Sequence, residues 1–185
     1  SQRLYFFFDG TSFRLVRFDQ LKRDDGYAAS IETAQEQLLS SHAVKRFLQN
    51  ITIVRVWLFR KILHRLFIWR LSVEQPERII LGIDTMVMDN DEAKKREGVE
   101  PTYKKVKGFQ PLQLYWGRYL IDAIFRNGKA HSNYGNHVNR MISTTVRLIR
   151  KYYRSNVPIV LAADSGFFDQ KVLAYCEKLQ IGLIV

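Results

Sequence analysis

The chain has 185 residues, 46% of them hydrophobic and 13% aromatic, so it is long enough for a packed core and too apolar for a disordered segment. Its 29 Lys and Arg against 18 Asp and Glu give a net charge of +11, which favours a polyanionic partner, nucleic acid or an anionic membrane surface, without choosing between them. One cysteine, Cys176, excludes an internal disulfide and fits a reducing compartment.

Residues 3–18 read as a β-hairpin. Leu4-Tyr5-Phe6-Phe7-Phe8 and Phe13-Arg14-Leu15-Val16-Arg17-Phe18 flank Asp9-Gly10-Thr11-Ser12, and Asp-Gly is a strong turn signal. Asp9 is therefore a turn residue, with a strand-end carboxylate as the alternative. The stretch from Arg3 to Phe8 is too short for the apolar region of a signal peptide. Residues 30–70 read as helices, the first opening at Ser30 as N-cap, and Ser40-Ser41-His42-Ala43 breaks that pattern and starts the second. Lys45 to Arg70 holds seven Lys or Arg and no acid, while Phe47, Ile51, Val54, Leu58, Ile62 and Trp69 keep helical spacing. Two readings stand there: a helix-turn-helix, or an amphipathic helix packed on a neighbour with a solvated basic face. Arg55, Arg60, Lys61 and Arg65 interrupt the apolar run of residues 51–69, so it does not read as a membrane span.

Pro76 marks a boundary, giving an N-terminal hairpin plus helical region over 1–76 and a second domain over 77–185. Charge does not divide them: the balance is +5 before Glu77 and +6 from there on. After Pro76 the pattern becomes strand-like. A first strand over 77–89 is followed by a charged loop over 90–108 containing Lys94-Lys95-Arg96, Lys104, Lys105 and Lys107. Strands are expected near 109–117 and 118–126, then a turn at 127–132. A long helix over 134–153 carries Val138, Met141, Ile142, Thr145, Leu148 and Ile149 on one face. Pro158 restarts a buried strand, Asp169 caps a helix reaching Gln180, and Gly182 begins another strand. Cys176 falls within that helix as a packing residue.

Two apolar runs end in aspartate: Ile79-Ile80-Leu81-Gly82-Ile83-Asp84 and Ile159-Val160-Leu161-Ala162-Ala163-Asp164. Each Asp alone reads equally as the start of a loop. Together in a basic chain they suggest neighbouring strands that share a divalent cation, because hard cations take oxygen ligands from one or two carboxylates plus phosphate and water. The element order supports this. Three consecutive strands make a meander, and a right-handed helical crossover brings the fourth strand parallel to the first. The expected fold is α/β, a ribonuclease H-like mixed sheet of meander, helix, parallel strand, helix and strand, preceded by the hairpin and helical region. Its chemistry is two-metal phosphoryl transfer, with carboxylates holding both ions about 4 Å apart.

The strings Ile83-Asp84-Thr85-Met86-Val87-Met88-Asp89-Asn90-Asp91, Lys107-Gly108-Phe109-Gln110-Pro111-Leu112, His131-Ser132-Asn133 and Ala163-Asp164-Ser165-Gly166-Phe167-Phe168 resemble bacterial insertion-sequence transposases of the DDE class, in the subgroup whose second catalytic block reads Asp-Ser-Gly-Phe-Phe. The resemblance is close over 77–185 and looser before Pro76. It implies that Asp84 and Asp164 are the first two catalytic, metal-holding carboxylates and that the third, a Glu, lies past Val185, so this fragment is not expected to transpose. It also implies Mg²⁺, with Mn²⁺ as substitute, double-stranded DNA at transposon ends and target, a homodimer in the synaptic complex, and a nucleoid-associated place in the bacterial cytoplasm, with no membrane partner. Lys104, Lys105 and Lys107 are the candidate contacts to DNA backbone, against the alternative of a solvated loop.

Other side chains have plainer readings. Asp89 and Asp91 are loop-start residues, Asp122 is paired or edge-exposed, and His131 is a loop histidine. Two other function classes remain: a DNA-binding remnant without chemistry, and a phosphohydrolase of the haloacid dehalogenase type. The latter needs an Asp two residues after its nucleophile, where this chain has Met86.

Overall fold

The computed structural model describes residues 15–92, 96–131, 135–167 and 169–185. They form two compact units, one ending at Trp57 and one beginning at Leu58.

In the first unit, α1 (Arg17–Leu21), α2 (Asp25–Ser30), a 3-10 turn (Gln35–Gln37) and α3 (Ser41–Gln49) pack around Phe18, Ala28, Leu38 and Val44. Polar side chains set the helix starts. Asp24 accepts the Tyr27 N–H at 3.0 Å and Ser40 accepts the Ala43 N–H at 3.3 Å. Asp19 accepts the Ser41 N–H at 2.9 Å and ties α1 to α3. Ser30 thus closes a helix instead of opening one, because Asp24 starts the turn six residues earlier. The expected hairpin lies mostly outside the described residues, and its last two residues, Arg17 and Phe18, are helical.

Helix α4 (Ile53–Glu74) runs across the division at Leu58, and in the second unit it leads into β1 (Ile79–Thr85), β2 (Met88–Asp89), β3 (Glu100–Pro101), β4 (Lys107–Phe109), β5 (Leu112–Trp116) and β6 (Tyr119–Ile124). After these come α5 (His137–Tyr152), β7 (Ile159–Ala163), a 3-10 turn (Ser165–Phe167), α6 (Gln170–Lys178) and β8 (Gly182–Ile184). The main sheet has the order β6-β5-β1-β7-β8. β1, β5 and β6 are the antiparallel meander, and β7 and β8 add parallel strands through the crossovers α5 and α6. This is the expected ribonuclease H-like sheet. The loop expected over 90–108 is more ordered than its composition suggested: β2, β4 and β3 pair there as a second, three-stranded sheet.

Strand alternation sends Ile79, Leu81, Ile83, Leu112, Leu114, Ile121, Ile159 and Leu161 to one face. They share a buried cluster with Phe67 and Leu71 of α4 and Val138, Met141, Ile142, Val146 and Ile149 of α5. Cys176 is buried in the same cluster, and burial pushes its thiol pKa up. Phe67 and Leu71 also explain why contacts divide the chain within α4 and not at Pro76: the C-terminal part of that helix is a wall of the second core. The apolar positions expected to pack on a neighbour, Val54, Leu58, Ile62 and Trp69, lie on the exposed side instead. On the core side, Arg60 reaches Asp122 of β6, both its Nε and its second terminal nitrogen donating at 2.6 Å. His64 Nε2 lies 3.3 Å from the same carboxylate. Asp122 is fully buried and paired, as its position among apolar residues implied.

Candidate active site

Asp84 is the penultimate residue of β1. Ile79, Leu81, Ile83 and Thr85 point into the core, leaving Ile80, Gly82 and Asp84 on the opposite face. β1 and β7 run parallel with Ile83 opposite Ala163, so the next step puts Asp84 level with Asp164. Parallel neighbours in register send equivalent side chains to the same face, about 4.8 Å apart at the backbone. Both carboxylates are exposed, and neither makes an ion pair among the described residues.

The chain orients each of them locally. Asp84 Oδ1 accepts the Thr85 N–H at 2.6 Å. Asp164 Oδ1 accepts the Gly166 N–H at 3.0 Å, while the Asp164 carbonyl accepts the Phe167 N–H at 3.0 Å. Phe167 is 1% exposed and anchors the turn in the core. Ser165-Gly166-Phe167 is therefore a holder for Asp164: an amide for the carboxylate and a ring to fix the backbone. Asp169 then accepts the Lys171 N–H at 2.9 Å and caps α6, as expected. Asp89 accepts the Asp91 N–H, and Asp91 accepts the Lys107 N–H, so both organise the second sheet.

The donor chemistry fits a divalent hard cation. Two exposed carboxylates stand level at the ends of adjacent strands, Asp84 within β1 and Asp164 directly after β7, and hard cations take such oxygen ligands. Among the described residues no group of three or more His, Cys, Asp and Glu stands close enough to hold a metal.

Two further side chains share this face. Gln113 of β5 is the cross-strand partner of Asp84, and Tyr115 is the partner of Gly82. A Cβ on Gly82 would overlap the Tyr115 ring. Gly82 is the seat on which that ring lies, one row below the carboxylates. A glycine inside a strand signals close approach of another group, but the sequence alone did not reveal which one. Lys104, Lys105 and Lys107 are all exposed, at the β3–β4 turn and the start of β4.

A family model described as "Transposase DDE domain group 1" matches residues 2–185. The chain belongs to this family of DDE transposase domains. Solved structures similar to this transposase domain include the catalytic domain of Mos1 mariner transposase, at 12% identity over 68% of this chain and 58% of that one, with a TM-score of 0.42. The Mos1 mariner paired-end complex with Mn matches at 14% identity over 94% and 59%, with a TM-score of 0.40. The Mos1 strand transfer complex matches at 12% identity over 95% and 60%, with a TM-score of 0.40. The DDE domain thus spans 58–60% of the length of these solved chains. Compared with curated proteins, it shows no significant match. Among its described residues no helix is long and apolar enough to cross a membrane.

Proposed function

We propose that this DDE domain is the catalytic core of a bacterial insertion-sequence transposase that cuts DNA at the element's ends and joins those ends to target DNA. The level placement of Asp84 and Asp164 on adjacent parallel strands carries this reading. Both residues hold Mg²⁺, with Mn²⁺ as substitute, and the Thr85 and Gly166 amides keep their carboxylates aimed at it. A bound ion there supplies Lewis-acid stabilisation of charge on the transferring phosphate. Lys104, Lys105 and Lys107 hold the duplex by its backbone, and two copies of the protein pair the element's ends.

The test compares the transposase with two variants. Asp84→Asn and Asp164→Asn each abolish Mg²⁺-dependent nicking of an element-end duplex while a gel shift on the same DNA persists. Asn keeps the size and one acceptor but loses the charge that holds the ion. An Asp164→Asn protein nicking at the parental rate would show that Asp164 is only a strand-end cap. DNA binding without nicking by the parent would favour a binding remnant.

A further inference from the structure

We infer that the β3–β4 hairpin is a DNA-probing finger and that Tyr103, at its tip, stacks on an unpaired base close to the cleavage site. The inference rests on the DNA reading of the neighbouring lysines and goes beyond it by assigning a base contact.

The hairpin has a defined build. Thr102 and Val106 close it: the Thr102 N–H and Oγ1–H both donate to the Val106 carbonyl, at 2.9 and 2.8 Å. The Lys105 N–H donates to the Thr102 carbonyl at 2.9 Å. Tyr103, Lys104 and Lys105 are the three-residue loop, and Lys105 sits at φ +62°, the left-handed position such loops usually give to glycine. A lysine there costs stability that a glycine would not, and strain of this kind gathers where a side chain has work to do. Thr102 is buried, so the tip stands on a fixed base.

Tyr103 is 64% exposed. Lys104 Nζ lies over its ring, 5.9 Å from the centroid, and the exposed Lys105 follows in the chain. An exposed ring among cations is the arrangement that grips single-stranded nucleic acid: the cations track the backbone while a base stacks on the ring.

The position suits the reaction. β2 starts four residues after Asp84 and pairs with β4, and Leu112, the start of β5, pairs with Thr85. From Leu112 back to Tyr103 the chain reaches at most about 31 Å, at about 3.4 Å per residue. That is about nine base steps of B-DNA. A base on the Tyr103 ring therefore lies within about one helical turn of the Asp84 and Asp164 carboxylates.

The experiment uses the 185-residue chain and two probes: a fully paired duplex, and the same duplex with one unpaired 2-aminopurine. The parent is expected to bind both in a salt-dependent manner and to quench the 2-aminopurine. Tyr103→Ala should abolish quenching and weaken binding to the unpaired probe about tenfold, the usual cost of one lost base stack, with less than about a twofold change on the paired duplex. Tyr103→Phe should behave as the parent. Lys105→Gly should weaken both probes while leaving the melting temperature unchanged or higher, because it removes a charge and relaxes the turn. Quenching that survives Tyr103→Ala, or a parent that binds both probes without quenching, overturns the finger and leaves the DNA reading standing. A parent that binds neither probe overturns both.

Discussion

Arg60→Ala is the sharpest test of how α4 is fixed to the sheet. Asp122 has no exposed surface, and its carboxylate takes two 2.6 Å hydrogen bonds from Arg60. Deleting the guanidinium leaves a buried charge without its main partner, a change worth about 3–5 kcal/mol. His64, 3.3 Å away, recovers part of that, so a loss of about 3 kcal/mol is expected. For a chain of this size it corresponds to a fall of about 6–12 °C in melting temperature. Burial pushes the Asp122 pKa up, but the Arg60 hydrogen bonds, with the nearby His64 imidazole, pull it further down, to a net value below the usual 3.8. A folded value below the unfolded one means that the pair stabilises fully above about pH 4 and loses its contribution as pH falls through the folded value. The gap between parent and variant should therefore be largest at neutral pH and close in acid. Urea denaturation followed by circular dichroism at pH 7 and pH 3 measures both. Adding Asp122→Asn to Arg60→Ala should restore stability at pH 7, since it removes the stranded charge. An Arg60→Ala protein within about 1 kcal/mol of the parent at pH 7, well under the range for a broken buried pair, would refute the reasoning.

Gly82→Ala should cost about 1–3 kcal/mol by overpacking, because the new methyl group enters the Tyr115 ring. Tyr115→Ala in the same chain should recover most of this in thermal melts, and a lack of recovery would place the strain elsewhere. Gly128→Ala should melt the small sheet selectively, since its Cβ would overlap the backbone carbonyls of Glu100 and Gly108, which have no rotamer to escape into. Hydrogen exchange should then speed up at the Asn90 and Thr102 amides, which bond across that sheet, while the Ile83 amide keeps its protection.

The main sheet was legible because its strands are apolar runs with clear ends, and because a helix between parallel strands has one usual hand. The aspartate pair was legible for the same reason: each closes such a run. The small sheet was missed because β2, β3 and β4 are two or three residues long and lie among charged residues, too short for alternation to register. Its ordering comes from Gly108 and Gly128, which let backbones approach closely, and from Gln110 and Arg126, which donate to the Gly128 and Gln110 carbonyls. Those partners are distant in sequence. In α4 the periodicity was real but fitted to the wrong face. The helix is apolar nearly all round, and only the contact of Phe67 and Leu71 with the sheet shows which side is inside. Ser30 was read as a cap by residue type, but Asp24, six residues earlier and also a good cap by type, is the one whose carboxylate meets an N–H.

Thr85 and Leu112 are direct cross-strand partners, so the β1–β5 ladder closes beneath the segment between them. That segment has a second anchor: Phe109 bridges to Asn127, the Gly128 N–H donates to the Gly98 carbonyl at 3.3 Å, and Lys129 pairs with Glu100. Residues 86–111 and 126–129 therefore form one exchangeable part and not two. Asp84 and Asp164 lie outside that part, and Lys104, Lys105, Lys107 and Tyr103 lie within it. Exchanging both stretches together would change the exposed lysine-bearing surface as a unit and leave the carboxylates where they are.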